Sequence, residues 1–288
     1  MTLALSRMLR VGIVVVLTAI LVSCTFTKFA YNQADTVTAW MVDDYFDLDV
    51  QQKQEFQKRF DRFYAWHRYE QLPDYAQFMK TARMRMQDGL SRDDVFWFVD
   101  GLRSRTRAAA RQAAPDAAAL LATLRPAQIE NLKSKWDKEN RKYVKERKVG
   151  GSIDERYEAE GKRIVKQLKE WLAPLTNVQE QRVMTLVREL PQLEQERYAE
   201  RLRRQKDFLE VLAHRNEDAQ RFTARVTDWM VNWEKGRSAE YQRQTDASWQ
   251  KRADLFMAID RMLTPEQRTA SLLRIENYAT DFAQLTKR

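Results

Sequence analysis

The sequence predicts an all-α fold, a multi-helix bundle, on three observations. Glycine and proline are sparse, seven and six in 288 residues, and nearly every proline sits where a helical pattern breaks. Apolar residues recur at three- and four-residue spacing along most of the chain, the period of one helix face. No stretch sustains two-residue alternation, so no Asn-Gly or Asp-Gly hairpin signal, a pair flanked by alternating residues, occurs. At 44% apolar with eight tryptophans, the chain is too hydrophobic for disorder despite its 32% charged residues.

Helical signals begin by Phe29 to Trp40. The stripe Phe56, Phe60, Phe63 and His67 follows, and Leu72-Pro73 reads as a break. Ser91-Arg92-Asp93-Asp94 is a helix start, and Ala113-Ala114-Pro115-Asp116 an alanine-rich connector. Ile129, Leu132, Trp136 and Tyr143 share the next face, which ends at Val149-Gly150-Gly151. Ser152 and Asp154 open a new helix bearing Ile164, Leu168 and Leu172. Val183, Leu186 and Leu190 precede a second Leu-Pro break, Leu190-Pro191. Then come Leu202, Leu209 and Leu212; the start at Asn216-Glu217-Asp218; and Phe222, Val226, Trp229 and Trp233. Trp249, Phe256, Ile259 and Leu263 form one late stripe, and Leu272, Ile275, Ala279 and Phe282 the last. The tryptophans on these stripes, Trp66, Trp97, Trp136, Trp171, Trp229 and Trp233, are expected in the core. Phe96-Trp97-Phe98 cannot all face inward from one helix, since neighbours are about 100° apart, so a second helix layer or a contact partner is expected there.

One helix start recurs four times: Leu48-Asp49-Val50-Gln51-Gln52, Leu124-Arg125-Pro126-Ala127-Gln128, Leu175-Thr176-Asn177-Val178-Gln179 and Leu263-Thr264-Pro265-Glu266-Gln267. Asp49, Thr176 and Thr264 can serve as N-caps, with Gln52, Gln179 and Gln267 at the third helical position, a capping box. Pro126 and Pro265 fall at the first helical position, where a missing N–H does no harm. Arg125 cannot accept a bond, and Leu124 with Ile129 can act there as a hydrophobic staple. As capping alone, the pattern carries no functional information. Both halves run motif, helix, Leu-Pro, helix, capped helix, motif, helix. Two diverged copies of a four-helix module and a chance recurrence of caps both fit that order. The domain division read from these signals is 1–23, 24–47, 48–149 and 150–288.

The N-terminus has another character. Arg7 and Arg10 precede twelve uncharged residues, Val11 to Val22, and then Ser23 and Cys24. A basic segment, an apolar segment and small residues before a cleavage point make an export signal. As helix the twelve would span roughly 18 Å against a hydrocarbon core of about 30 Å, and an uncleaved signal anchor is the competing reading. Leu21-Val22-Ser23-Cys24 resembles the lipobox of bacterial lipoproteins. That resemblance implies removal of residues 1–23, a thioether-linked diacylglycerol on Cys24 and an acylated amino group, palmitate being the typical chain. Several acyl chains hold a protein far more firmly than one. Thr25 follows the cysteine, where many enteric inner-membrane lipoproteins carry aspartate. The analogy therefore favours the periplasmic leaflet of the outer membrane, with the helical body close to it. Without Arg7 and Arg10, 48 basic residues stand against 41 acidic ones, a net +7. In an envelope such a surface meets lipid, lipopolysaccharide or glycan sooner than nucleic acid. Cys24 is the only cysteine, so once acylated it leaves no disulfide within a monomer.

Leu-Thr-x-x-Gln resembles the signature of the Spy/CpxP-type periplasmic stress proteins, which are small, basic and helical; it is intact at Leu175 and Leu263 and degenerate at Leu48 and Leu124. Tyr31-Asn32, Tyr45-Phe46-Asp47-Leu48, Trp66-His67-Arg68 and Glu70-Gln71-Leu72-Pro73 resemble an uncharacterised family of proteobacterial lipoproteins with a domain of unknown function. Together these imply a lipid-anchored envelope protein with a chaperone-like or other client-binding role, or an accessory subunit of an envelope complex.

Nothing in the sequence suggests an enzyme. His67 and His214 are the only histidines, and no Cys/His zinc spacing, phosphate loop, Gly-x-Ser-x-Gly or His-Glu-x-x-His occurs. His67 and Glu70 lie one turn apart, a half site at most and more simply a histidine at the core edge. Carboxylate pairs are too numerous among 41 acids to choose from. No cofactor or metal is expected beyond the acyl groups, the partners are a membrane and a protein client or envelope component, and the oligomeric state is open.

Overall fold

The structure, a computed structural model, describes residues 24–287; Leu21, Val22 and Ser23 lie outside the described residues. Those described are helical, with no strand among them. In chain order they form α1 (Cys24–Asn32), α2 (Ala34–Phe46) and α3 (Val50–Trp66), then a π-helical turn (His67–Gln71) running into α4 (Leu72–Met86). Next come α5 (Arg92–Leu121), α6 (Pro126–Arg147), α7 (Ile153–Trp171) and α8 (Asn177–Val187). The last four are α9 (Glu194–Ala213), α10 (Ala219–Val231), α11 (Ala239–Arg261) and α12 (Pro265–Leu285). None is long and apolar enough to cross a membrane.

Two compact units divide the described residues. The first holds 24–81, 123–135 and 274–287; the second holds 82–122 and 136–273. In the first, Leu48, Leu72, Phe78, Leu124, Leu132, Ile275, Ala279, Phe282 and Leu285 are buried. In the second, Ile164, Val165, Leu175, Val183, Leu186, Val187, Leu190, Leu255 and Ile259 form one apolar cluster. There α7 and α8 approach so closely that a Cβ on Gly161 would overlap the Met184 sulfur. α10 lies along α5 and buries Phe222 and Val226.

The predicted starts at Ser91, Ser152 and Asp218 are N-caps: Ser91 and Ser152 close capping boxes with Asp94 and Glu155, and Asp218 accepts from Gln220 and Arg221 N–H. Four expectations need correction. Ala113-Ala114-Pro115-Asp116 is no connector, because α5 runs through it. Pro115 is exposed, as is Arg111, the residue whose carbonyl loses the bond, while Ala114 and Ala118 on the adjoining face are buried. Leu72-Pro73 does not break the chain either. The missing Pro73 N–H falls at a π-turn, where the Leu72 N–H bonds back to the His67 carbonyl, and the helical path continues from α3 to α4. The stripe through Leu202 and Leu209 is off phase: Leu202 is 40% exposed, and Phe208 and Leu212 are the buried pair. Phe208 meets Trp136 edge-on at 5.9 Å and Trp229 at 4.4 Å, which fixes the phase of α9.

The tryptophans are the fourth. None is buried; they sit half-covered at the core edge, except exposed Trp40. Arginines cover several ring faces, Arg107 over Trp233 at 4.6 Å, Arg204 over Trp229 at 4.2 Å and Arg85 over Trp97 at 5.0 Å. An amphipathic ring is better served there, one face on the core and one under a guanidinium. Phe96, Trp97 and Phe98 are all half-buried.

Candidate functional site

The recurring motif builds a shared structure. Each glutamine first closes its own helix. Gln52, Gln128, Gln179 and Gln267 accept, through Oε1, the N–H of the residue three before them, at 2.9–3.0 Å. In return Asp49, Thr176 and Thr264 accept the glutamine N–H at 2.9, 3.2 and 3.2 Å. These are the expected capping boxes. Arg125 makes no return bond, and its guanidinium instead reaches the Asp49 carboxylate.

The glutamines then meet in pairs across long sequence separations. In the first unit Gln52 and Gln128 exchange Nε2–H···Oε1 bonds of 3.1 and 2.7 Å. In the second, Gln179 and Gln267 do so at 2.7 and 2.9 Å. The remaining amide proton always goes to the carbonyl just before the partner's leucine. Gln52 donates to Thr123, Gln128 to Asp47, Gln179 to Met262 and Gln267 to Pro174, at 2.9–3.0 Å. Asp47 presents its carbonyl from a left-handed turn, φ 50°, a conformation that aspartate tolerates. Each amide thus uses both protons and both acceptor directions. All four glutamines are no more than 7% exposed, and Leu48, Leu124 and Leu175 are buried beside them, with Leu263 half-buried. No donor or acceptor is left for a ligand, so the motif is a stitch between helix starts.

The second feature lies at the N-terminal end of the first unit. Cys24 is the first residue of α1, and four residues on the helix is already fastened. Lys28 pairs with the buried Asp281 at 3.2 Å and also reaches Gln284. The Tyr31 hydroxyl lies 3.0 Å from His67 Nδ1, and Tyr64 donates to the Tyr31 carbonyl at 3.1 Å. Arg68 donates to the Leu285 carbonyl at 2.8 Å, capping α12. Rings surround the clasp: Tyr31 stacks on Tyr64 at 5.0 Å, and His67 meets Tyr75 edge-on at 5.3 Å. Burial lowers the His67 imidazole to about 4, so it is neutral at ordinary pH. Burial also raises the Tyr31 hydroxyl, and raises the Asp281 carboxyl against the opposing pull of Lys28. Glu70 is exposed, so His67 takes Tyr31 and not Glu70 as its partner.

Opposite the clasp, α1 and α2 expose Phe29 (62%), Val37 (49%) and Trp40 (46%). The remaining exposed positions between Phe29 and Trp40 are Asn32, Gln33 and Thr36, none of them charged.

Acids buried in the second unit are also paired. Glu160 holds Arg252 and lies 3.4 Å from Gln192 Nε2. Glu194 takes Arg197 at 2.8 Å and the Tyr143 hydroxyl at 3.3 Å, with Arg163 at 3.8 Å. Burial first, and then Glu194, pushes the Tyr143 hydroxyl up to about 12. Among the described residues no three His, Cys, Asp or Glu side chains are grouped as metal ligands. The sequence reading singled out the capping boxes and Cys24. It missed the partner of each glutamine, the Lys28–Asp281 pair and the uncharged outer face, of which only the last had a visible signal, the i, i+8, i+11 spacing of Phe29, Val37 and Trp40.

The model of one protein family, described as a family of unknown function (DUF6279), matches residues 44–242. No curated protein and no solved structure matches the chain.

Proposed function

The chain belongs to this family of unknown function, and from there we propose that it is a lipid-anchored envelope protein whose helical body binds a protein client or an envelope component without catalysing a reaction. Cys24 carries the diacylglycerol and the N-acyl chain, residues 1–23 are removed, and the site is the periplasmic face of the outer membrane. The supporting observation is the junction at Cys24. A basic, apolar and small-residue sequence ends there, and a helix fastened by Lys28 and Tyr31 begins there. No spacer separates the anchor from the body, so client contact takes place beside the membrane.

In this reading the Leu-x-x-x-Gln motifs hold the scaffold, because their amides are fully used within it, and binding falls to the surfaces they rigidify. Mass spectrometry of the mature N-terminus tests the anchor: a triacylated Cys24 as first residue is expected, and an intact Met1 or a free thiol overturns it. Crosslinking in intact cells tests the role. Many weakly captured clients fit a chaperone-like protein, whereas one stoichiometric partner identifies an accessory subunit.

A further inference from the structure

We infer that the outer face of α1 and α2, bearing Phe29, Val37 and Trp40, lies in the headgroup–acyl boundary of the bilayer that anchors Cys24. This rests on the lipid-anchor reading above and says which surface the anchor brings down. The exposed positions of the two helices, Phe29, Asn32, Gln33, Thr36, Val37 and Trp40, recur at i, i+3, i+4, i+7, i+8 and i+11, the spacing of one helix face, although the chain turns at Gln33 between α1 and α2. Within α2, at about 100° per residue, Val37 and Trp40 point about 60° apart. Asn32, Gln33 and Thr36 fill the same sector.

The face is uncharged although 32% of the chain is charged. The charged residues of these helices are turned elsewhere: Lys28 to Asp281, Asp43 to Lys53 at 3.0 Å, and Asp44 to Lys135. Asp35 is half-buried. Lipid headgroups accept an aromatic and amide surface of this kind, and tryptophan and phenylalanine favour that depth.

Position selects the occupant. The chain before the described residues ends at Ser23, and α1 starts at Cys24. Phe29 is then about 7.5 Å along α1 from the anchor, and Trp40 lies at most about 24 Å of helical rise from it. Because Lys28 and Tyr31 clamp α1 to the body, the face cannot swing away from an anchor so near. Charges flanking the seam commonly set the partner choice of a helix or a second copy, and the exposed sector has none. A fluid bilayer needs no register.

The test uses the full-length lipoprotein, purified with its acyl chains and reconstituted into vesicles of phosphatidylethanolamine with a minority of phosphatidylglycerol. Thr36→Cys places a spin label in the middle of the face while keeping Phe29, Val37 and Trp40; Cys24 is blocked by its lipid. Val178→Cys, on an exposed residue of α8, is the reference. The expected result is loss of collisions with a water-soluble nickel chelate at 36, with oxygen collisions retained, and the reverse at 178. Adding Val37→Glu and Trp40→Glu should restore nickel access at 36 without releasing the protein from the vesicles. Equal nickel access at 36 and 178 in acylated, vesicle-bound protein overturns the inference while leaving the anchor intact. Spin–spin broadening at 36 that vanishes on dilution with unlabelled protein also overturns it, in favour of a second copy. Protein with unmodified Cys24 that fails to float with vesicles refutes the anchor reading, and this inference falls with it.

Discussion

The glutamine pair of the first unit and that of the second make the same exchange of amide bonds and the same donations to the carbonyls before the partner leucines, yet their caps differ. The second unit uses Thr176 and Thr264, two equivalent hydroxyls. The first uses Asp49 and Arg125, which complete the arrangement with an ion pair across the two helix starts. The glutamine is therefore the invariant part of the device and the cap the replaceable part. A side-chain amide supplies two donors and one strong acceptor in a plane, and no cap residue can substitute for that.

Removing a glutamine should have the largest effect. Gln128→Ala or Gln267→Ala leaves a buried partner amide and a backbone carbonyl without bonds, costing about 2–4 kcal/mol. Chemical denaturation should give similar losses in the two units, and a loss below about 1 kcal/mol in either would mean that the amides are solvated. The double replacement of Gln179 and Gln267 should cost less than the sum, since each single change already breaks the exchange.

Acid should separate the two pairs next. His67 has a folded value near 4 against about 6.5 when unfolded. Its contribution is complete above pH 6.5 and is lost as pH falls toward 4, with a slope of up to about 1.4 kcal/mol per unit. Asp281, raised by burial, acts in the opposite sense. Hydrogen exchange at the N–H groups of Asp49 and Arg125 should therefore quicken at pH 4–6 before that at Thr176 and Thr264. In His67→Phe the difference should vanish; if it persists, the imidazole is not its source.

Smaller effects lie in the caps. Thr264→Ala should cost about 1 kcal/mol, read as a shift in denaturation midpoint. Arg125→Thr exchanges the ion pair for a second-unit cap. Because Asp49 and Arg125 are both solvent-accessible, the midpoint should barely move and only its salt dependence should disappear. A large loss would show that the ion pair, and not the amide exchange, holds the first unit.

What could be read in advance follows the range of each interaction. The capping boxes at Asp49, Thr176 and Thr264 are three-residue events, and sequence spacing specifies them completely. That Gln52 finds Gln128, 76 residues away, and Gln179 finds Gln267, 88 away, depends on how the intervening helices pack, and spacing alone carries none of it. The errors share that cause. Pro115 reads as a break until its exposure is known, because solvent can take the carbonyl it frees. Leu209 and Phe208 are adjacent and both apolar, and only the rings of Trp136 and Trp229 decide which turns inward. Tyr31 and His67 each belong to a legible motif, but nothing local joins an N-terminal tyrosine to the end of the first long helix.

The Lys28 clasp also sets an order of events. Asp281, Gln284 and the Leu285 carbonyl come from the last helix, and Gln284 is 256 residues from Lys28. A contact that spans nearly the whole chain forms late, after the loop it closes has been made and gathered. During synthesis the Lys28 segment therefore has no docking partner until α12 is made. On the lipid-anchor reading proposed above, processing at Cys24 belongs to that interval, before Lys28 and Tyr31 fasten α1.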